Sequence, residues 1–442
     1  MGCDMVAALA GATVNGRAIF GHNAGRPEQE RQRLLRAVGR SYALGEKVST
    51  GTIELPQART TFTVLGSQAE GMWGYHHGVN EMGVAIGCTH LRTRLGEATA
   101  GLAATDLVRL ALERSAGARQ AVDMLTDLLA RHGQVAANPT QRTDGAFLIT
   151  DGREAFVLET TSKYWVLQEI REVRALSDDC TIRQDWNRIA PGLAAEAIER
   201  KLWPEDGTKI DFAGVVAAPT PNGGSAAKRW ARATYLLQEQ NGRIDLAFVR
   251  RILADHYETD DEEESPANRT THPLPICQHQ GTAGGTKTAI SLVAELDSAA
   301  DGLPVAWCAF GPPCRTVYFP IFLAGILPEP FSSGELERTT TLLAGLRRPA
   351  FGASTEAPSA REHFSRFQEL LDQQASDFLN DAREWKRQGD LAELQRQASL
   401  FHQHTLESFE RLAEESLPVG HVKAASSEGL QPAGGMAPAP WA

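Results

Sequence analysis

The strand signals of this chain come in antiparallel blocks, and pairs of helices separate the blocks. Residues 5–10 and 17–21 are strand-like and meet through Asn15-Gly16, a dipeptide that accepts the positive φ angles of a two-residue hairpin. Residues 59–66 (RTTFTVLG) and 82–88 (MGVAIGC) are further strand candidates. Thr105 is placed to cap a helix through LVRLALER. A second helix over 117–132 puts Val122, Leu125, Leu128 and Leu129 on one face and stops at Gly133. A meander follows: AFLIT, a turn at Asp151-Gly152, EAFVLET and KYWVLQEI. Helices are expected at 192–202, 226–239 and 244–256, and strands again at 288–296, 304–310 and 315–322. This order predicts a layered α+β fold of the αββα kind and argues against alternating βαβ units.

The character changes further along. Residues 1–330 are read as the αββα domain and 331–357 as a linker loop. Residues 358–416 carry helical apolar spacing (Phe364, Phe367, Leu370, Leu371; then Phe401, Leu406, Phe409, Leu412), broken at Gly389-Asp390, which predicts an antiparallel helical hairpin. Residues 417–442, rich in Pro, Gly, Ala and Ser, are read as a disordered tail.

Charge excludes some partners. Fifty-five acidic against 44 basic residues give a net charge of −11, and no stretch is dense in Lys or Arg. Nucleic acid and an anionic membrane surface are therefore not expected partners. No run of about 18 apolar residues exists to span a bilayer. The six cysteines (3, 88, 180, 277, 308 and 314) form no CxxC pair and are too sparse for a disulfide scaffold, which fits a reducing cytoplasm.

Cys3 stands apart. The opening MGCDMVAALAGATVNG lacks the basic n-region of a signal peptide and carries Asp4 where the apolar stretch should begin. Val6 occupies the Ser/Thr position of a myristoylation motif. From spacing alone, a small buried cysteine at a strand start is the simpler reading. A cysteine freed at the amino terminus has another use, because its α-amine, with a pKa near 8, lies within reach of its own thiol. One residue then supplies nucleophile and base. That chemistry requires removal of Gly2 as well as Met1, for which attack of the Cys3 thiol on the preceding carbonyl is the natural route.

The segments CDMVAALAGATVNGRAIFGHNAGRP (3–27), MWGYHHGVNEMGVAIG (72–87), ATDLVRLALER (104–114), AFLITDGREAFVLETTSKYW (146–165) and KTAISLVAEL (287–296) resemble the secernin and dipeptidase family of cysteine N-terminal-nucleophile (Ntn) hydrolases. They are more distantly similar to penicillin V acylase and bile salt hydrolase. The resemblance implies a four-layer αββα Ntn-hydrolase fold and makes Cys3 the nucleophile. It implies site roles for His22 and Asn23, within Gly21-His22-Asn23-Ala24-Gly25, where Gly25 replaces the Asp with which the acylases hold the nucleophile's amine. It also implies roles for Asp178, standing where the acylases carry an oxyanion-binding Asn, and for Arg229 in GGSAAKRWARATYLL, which could steady the thiolate or a substrate carboxylate. Thr89 and His90 are candidates for the pocket wall.

The expected reaction is hydrolysis of a small amide or dipeptide bond through a Cys3 thioester, with no cofactor and no metal. An acyltransferase that resolves the same thioester with an amine, and a non-hydrolytic secernin-like binding protein, are the rival readings. Whether the chain forms a homo-oligomer is left open. GTAGGTKT (281–288) misses a phosphate loop because Thr286 stands where Gly must precede the Lys. The acidic run at 260–264 lacks ordered ligand spacing. His272, Cys277 and His279 offer three zinc ligands but no fourth. His76 and His77, adjacent in a strand, would face opposite ways.

Overall fold

The structure, a computed structural model, describes residues 2–95, 100–136, 144–218, 224–257, 275–279, 285–298, 302–336, 339 and 360–416. The acidic run at 260–264, His272, residues 281–284 of the glycine-rich segment, most of the 331–357 linker and the 417–442 tail lie outside these residues.

Strands β1 (Asp4–Ala8), β2 (Ala18–Pro27), β12 (Val173–Leu176), β14 (Thr286–Leu296), β15 (Val305–Phe310) and β16 (Phe319–Phe322) form one antiparallel sheet in the order β12-β1-β2-β14-β15-β16. A second antiparallel sheet contains β3 (Gln32–Ala37), β6 (Val64–Ala69), β7 (His77–Asn80), β8 (Ala85–Leu91), β9 (Asp144–Thr150), β10 (Ala155–Thr161), β11 (Tyr164–Ile170) and β13 (Arg188–Ile189). Its order is β13-β11-β10-β9-β8-β7-β6-β3. A short ribbon, β4 (Lys47–Ser49) with β5 (Glu54–Pro56), stands apart. β3 was not expected from the sequence, and β7 was read there only through His76 and His77. HGVN, with a glycine and few β-branched residues, carries little strand propensity and is held by its neighbours on both sides.

Strand alternation sorts the side chains into layers. Met5, Ala7 and Phe20 of the first sheet meet Leu65, Leu148 and Val157 of the second in the space between the sheets. Outside the second sheet, Ile86, Phe147 and Phe156 pack under α1 (Ala104–Arg114) and α2 (Ala118–His132). Outside the first, Val6, Ala8 and Ile19 meet α5 (Ser225–Glu239) and α6 (Leu246–Leu253). The fold is thus α+β in four layers, helices–sheet–sheet–helices, as expected. Helix α1 starts from Ala103, which makes no side-chain cap. Thr105, expected to be the cap, is buried inside the first turn. Among the described residues, three shorter helices, α3 (Leu193–Glu199), α4 (Phe212–Val216) and α7 (Glu329–Ser333), add to these layers.

The C-terminal hairpin is α8 (Ala360–Gln388) and α9 (Leu391–Ser416). Gly389, at φ 75°, breaks the run, and the Asp390 carboxylate accepts the Glu393 N–H at 3.0 Å to start α9. Phe378 and Phe401 close on Phe322 of β16, with ring centroids 4.5 and 5.1 Å away. The Arg250 guanidinium bonds both carboxylate oxygens of Asp372 at 2.7 and 2.9 Å, tying α6 to α8. α9 approaches so closely that a Cβ at Gly325 would lie 2.7 Å from the Ala398 backbone. Among the described residues, no helix is long and apolar enough to cross a membrane.

Candidate active site

Cys3 lies just before β1, buried. The β1–β12 register pairs Met5 with Leu176, so the chain leaving β12 passes the Cys3 main chain. There the Cys3 N–H donates to Asp178 Oδ1 at 3.0 Å. The same oxygen accepts the hydroxyl of Thr89, which reaches across from β8 in the other sheet. Arg229 Nη2 donates to Asp178 Oδ2 at 2.8 Å. Arg229 Nε then reaches both oxygens of Asp4 at 3.0 Å, and Ser177 donates its hydroxyl to Asp4 as well. Asp4 points toward α5 because it alternates with Cys3. Arg229, on the buried face of α5, is therefore the bridge between the two carboxylates.

Asp178 therefore acts as an acceptor for three donors. A carboxylate offers no donor to an oxyanion, as the acylases' Asn would; it faces the Cys3 nitrogen instead, the place an Asp at position 25 would hold. Burial alone would pull the Arg229 guanidinium down; the Asp4 and Asp178 carboxylates more than reverse that, so it stays charged. The Cys3 thiol is pushed up to about 12, first by burial and then by the Asp178 charge. Arg26 and the Gly25 N–H, which donates toward the sulfur, oppose the rise. A thiol with its nitrogen still in a peptide bond is thus held protonated.

Gly2 fills the space that a side chain at position 25 would take. A Cβ on Gly25 would fall 1.6 Å from the Gly2 carbonyl oxygen. The same carbonyl faces Gln278, whose Nε2 lies 3.5 Å away. The Thr286 hydroxyl donates to Gln278 Oε1 at 2.6 Å, which turns the amide's N–H end toward Gly2. A bulge in β14 between Thr288 and Ile290, opposite Ala24 and Gly25, falls beside this point. Gly25→Ala is accordingly expected to destabilise the chain that retains Gly2 by about 1–3 kcal/mol or more, the usual cost of overpacking. A chain released from a fusion immediately before residue 3 should tolerate the change. Melting temperatures of both forms check this, and equal losses in the two would contradict it.

Three expected site residues are placed elsewhere. Asn23 pairs with Asp4 in the sheet and so faces away from the Cys3 side. Its amide donates to the Leu253 and Ile276 carbonyls at 2.8 and 3.2 Å. His22 lies between the sheets, with Nε2 3.1 Å from the Cys88 carbonyl and Nδ1 2.8 Å from His77 Nδ1. Burial holds it down at about pKa 4, so it presents no cation. His90 follows Thr89 in β8 and therefore points to the opposite face of that sheet. Two residues the sequence reading passed over enter instead. Gln278 is one. The other is Arg26, fully buried, bonded to Glu30 at 2.5 and 2.7 Å and close enough to favour the Cys3 thiolate. Counting every second residue of β2 from Phe20 reaches Arg26, but a buried arginine gives no apolar signal to follow.

Of the three zinc candidates in the sequence, His272 lies outside the described residues, whereas Cys277 and His279 are joined by His256 and Cys314, from opposite sides of the segment in the sequence. Four candidate ligand atoms thus converge where the sequence offered three.

Residues 33–162 match the family model described as acyl-coenzyme A:6-aminopenicillanic acid acyl-transferase. Among solved structures, the chain is similar to a mutant of conjugated bile acid hydrolase from Clostridium perfringens at 12% identity and a TM-score of 0.40, covering 70% of this chain and 89% of that one. Penicillin V acylase from Agrobacterium tumefaciens matches at 12% identity and a TM-score of 0.38, over 72% and 86% of the two chains. The Caenorhabditis elegans ortholog of N-acylethanolamine-hydrolyzing acid amidase matches at 11% and 0.32, over 66% and 92%.

Proposed function

We propose that this protein is a cysteine N-terminal-nucleophile amide hydrolase whose reacting residue is Cys3. The observation that carries the reading is the 3.0 Å hydrogen bond from the Cys3 nitrogen to Asp178, a carboxylate itself held by Arg229 and Thr89. Any buried main-chain N–H needs an acceptor; a carboxylate in that place also meets the need of a free α-ammonium, because a buried charge must be paired.

Activation begins with the Cys3 sulfur attacking the Gly2 carbonyl carbon. The Gly2–Cys3 C–N bond breaks, the nitrogen takes a proton and a thioester forms. Gln278 is placed to donate to the carbonyl oxygen as negative charge develops on it. Water then hydrolyses the thioester, releasing whatever precedes Cys3 as a carboxylic acid. In turnover the neutral α-amine takes the thiol proton, the thiolate attacks a substrate amide, and the ammonium returns the proton to the leaving amine. Water resolves the acyl-enzyme. Arg229 spends its guanidinium on Asp4 and Asp178, so it serves as a positioning residue and does not grip the substrate.

The secernin and dipeptidase resemblance favours a small amide or dipeptide as substrate. The match to an acyl-transferase family model favours a second reading, in which an amine in place of water accepts the acyl group.

Intact-mass measurement of the purified protein is expected to give a chain that begins at Cys3. An activated acyl ester should then add one acyl group, labile to hydroxylamine as a thioester is. A chain that retains Gly2 and yet turns over amides would overturn the free-amine mechanism. Added amines that speed acyl release and appear in the product would select transfer over hydrolysis.

A further inference from the structure

The geometry points to a structural zinc site formed by His256, Cys277, His279 and Cys314. His256 follows α6, Cys277 and His279 lie in the segment 275–279, and Cys314 sits in the turn between β15 and β16. One ligand atom from each converges, all four within 4.8 Å of one another. His279 Nε2 is the hub. It lies 3.0 Å from His256 Nε2, 3.6 Å from Cys277 Sγ and 3.3 Å from Cys314 Sγ.

Two arguments favour a cation at the centre. The first is valence. A ring nitrogen has either one proton or one lone pair, so His279 Nε2 cannot serve three partners at once by hydrogen bonding. A single cation accepts a lone pair from each of the four atoms and resolves the crowding. The second is size. Zn–S bonds of about 2.3 Å and Zn–N bonds of about 2.0–2.1 Å place tetrahedral ligand atoms about 3.3–3.8 Å apart, close to the spacings here.

The donor set selects the metal class. Two imidazoles and two thiolates suit zinc, whereas calcium and magnesium require oxygen ligands. All four positions come from the protein, and three of the residues are buried and the fourth half-buried. No position is left for water or substrate, so the role is structural.

The site has a consequence for the neighbouring chemistry. Gln278 lies between two of the ligands, and its amide faces Gly2. A metal that cross-links α6, the 275–279 segment and the β15–β16 turn would fix the segment that aims this donor. The Ile276 carbonyl, which accepts from Asn23, is held by the same cross-link.

The test uses the full, untagged chain expressed with zinc supplied and purified under reducing conditions. About one equivalent of zinc per chain is expected by elemental analysis, and X-ray absorption should give two sulfur and two nitrogen neighbours. Exchange with Co(II) should give thiolate-to-cobalt charge-transfer bands and tetrahedral ligand-field bands. Cys314→Ser and His256→Ala should lose those bands and the stoichiometric metal. If a variant fails to fold, stripping zinc from the native chain with a strong chelator serves in its place. It should lower the melting temperature, and added zinc should restore it. Substoichiometric zinc with no cobalt spectrum and no thermal response would overturn the assignment. So would an intact mass lower by two hydrogens with Cys277 and Cys314 joined as a disulfide. None of these readouts depends on Cys3 or on turnover.

Discussion

Asp178→Asn is expected to lower turnover by about 10²–10⁴-fold, the range over which a positioned acid–base group acts, with a smaller change in KM. The substituted amide can still accept from the Cys3 nitrogen through its oxygen, but it cannot neutralise an ammonium. Losing the carboxylate removes an opposite charge from beside the α-amine, and the amine's pKa must fall. The acidic limb of the pH–rate profile should therefore move to lower pH, a shift that a purely structural role for Asp178 would not produce. Cys3→Ala marks the limit of the scale. Removal of the nucleophile should cost on the order of 10⁶-fold, as for a unit that fails when its reacting atom is removed, and it should leave Gly2 in place. An Asp178→Asn enzyme with unchanged turnover and an unmoved profile would refute the amine-pairing role.

What the sequence made legible follows the range of the interactions. Local signals carried much of the fold: the 146–170 meander, the glycine stop at Gly133 and the Gly389-Asp390 break all set structure through neighbours a few residues away. Asn15-Gly16 does lie in a turn, but not in the expected two-residue hairpin: β1 ends at Ala8, and residues 9–17, with a 3-10 turn at Ala10–Ala12, connect it to β2. Cys3 could be singled out by resemblance, because its role depends on position in the chain. Its partner Asp178 could be named as one of three candidates, with Asn23 and water, for the missing carboxylate's task, but the choice among them could not be read. That choice is set by the β1–β12 register, which brings residues 175 apart in sequence to 3.0 Å. His22 and His90 show the opposite error. Both occupy site-like positions in sequence, and strand phase turns one toward the His77 ring and the other away from Thr89. The four metal-ligating residues were legible only as a pair, since neither His256 nor Cys314 has a spacing relation to Cys277 and His279.

The attachment of the C-terminal hairpin is expected to be acid-labile. His402 of α9 accepts the Phe322 N–H on Nε2 at 3.0 Å, and its Nδ1 lies 3.0 Å from the Ile326 carbonyl. That pairing requires the neutral ring, with its proton on Nδ1. A second proton on Nε2 would face another donor. Burial adds to this, and the imidazole is held down at about pKa 4 against an unfolded value of 6.5. Between those values the released chain takes up a proton that the docked one refuses. The stabilisation is therefore complete above pH 6.5 and is lost as pH falls toward 4, amounting to about 3 kcal/mol over the window. His22, held down to about 4, and His77, well below its usual range, both chiefly by burial, act in the same direction between the sheets. Buried Asp4 and Glu159, whose carboxyls burial pushes up, act in the opposite direction. A difference measurement isolates the hairpin. Denaturant-derived stability of the native chain minus that of His402→Gln, which keeps a donor and an acceptor but does not titrate, should decline as pH falls from 7 to 4. Proteolysis within residues 360–416 should rise over the same range in the native chain. A difference that stays flat across this interval would remove His402 from the attachment.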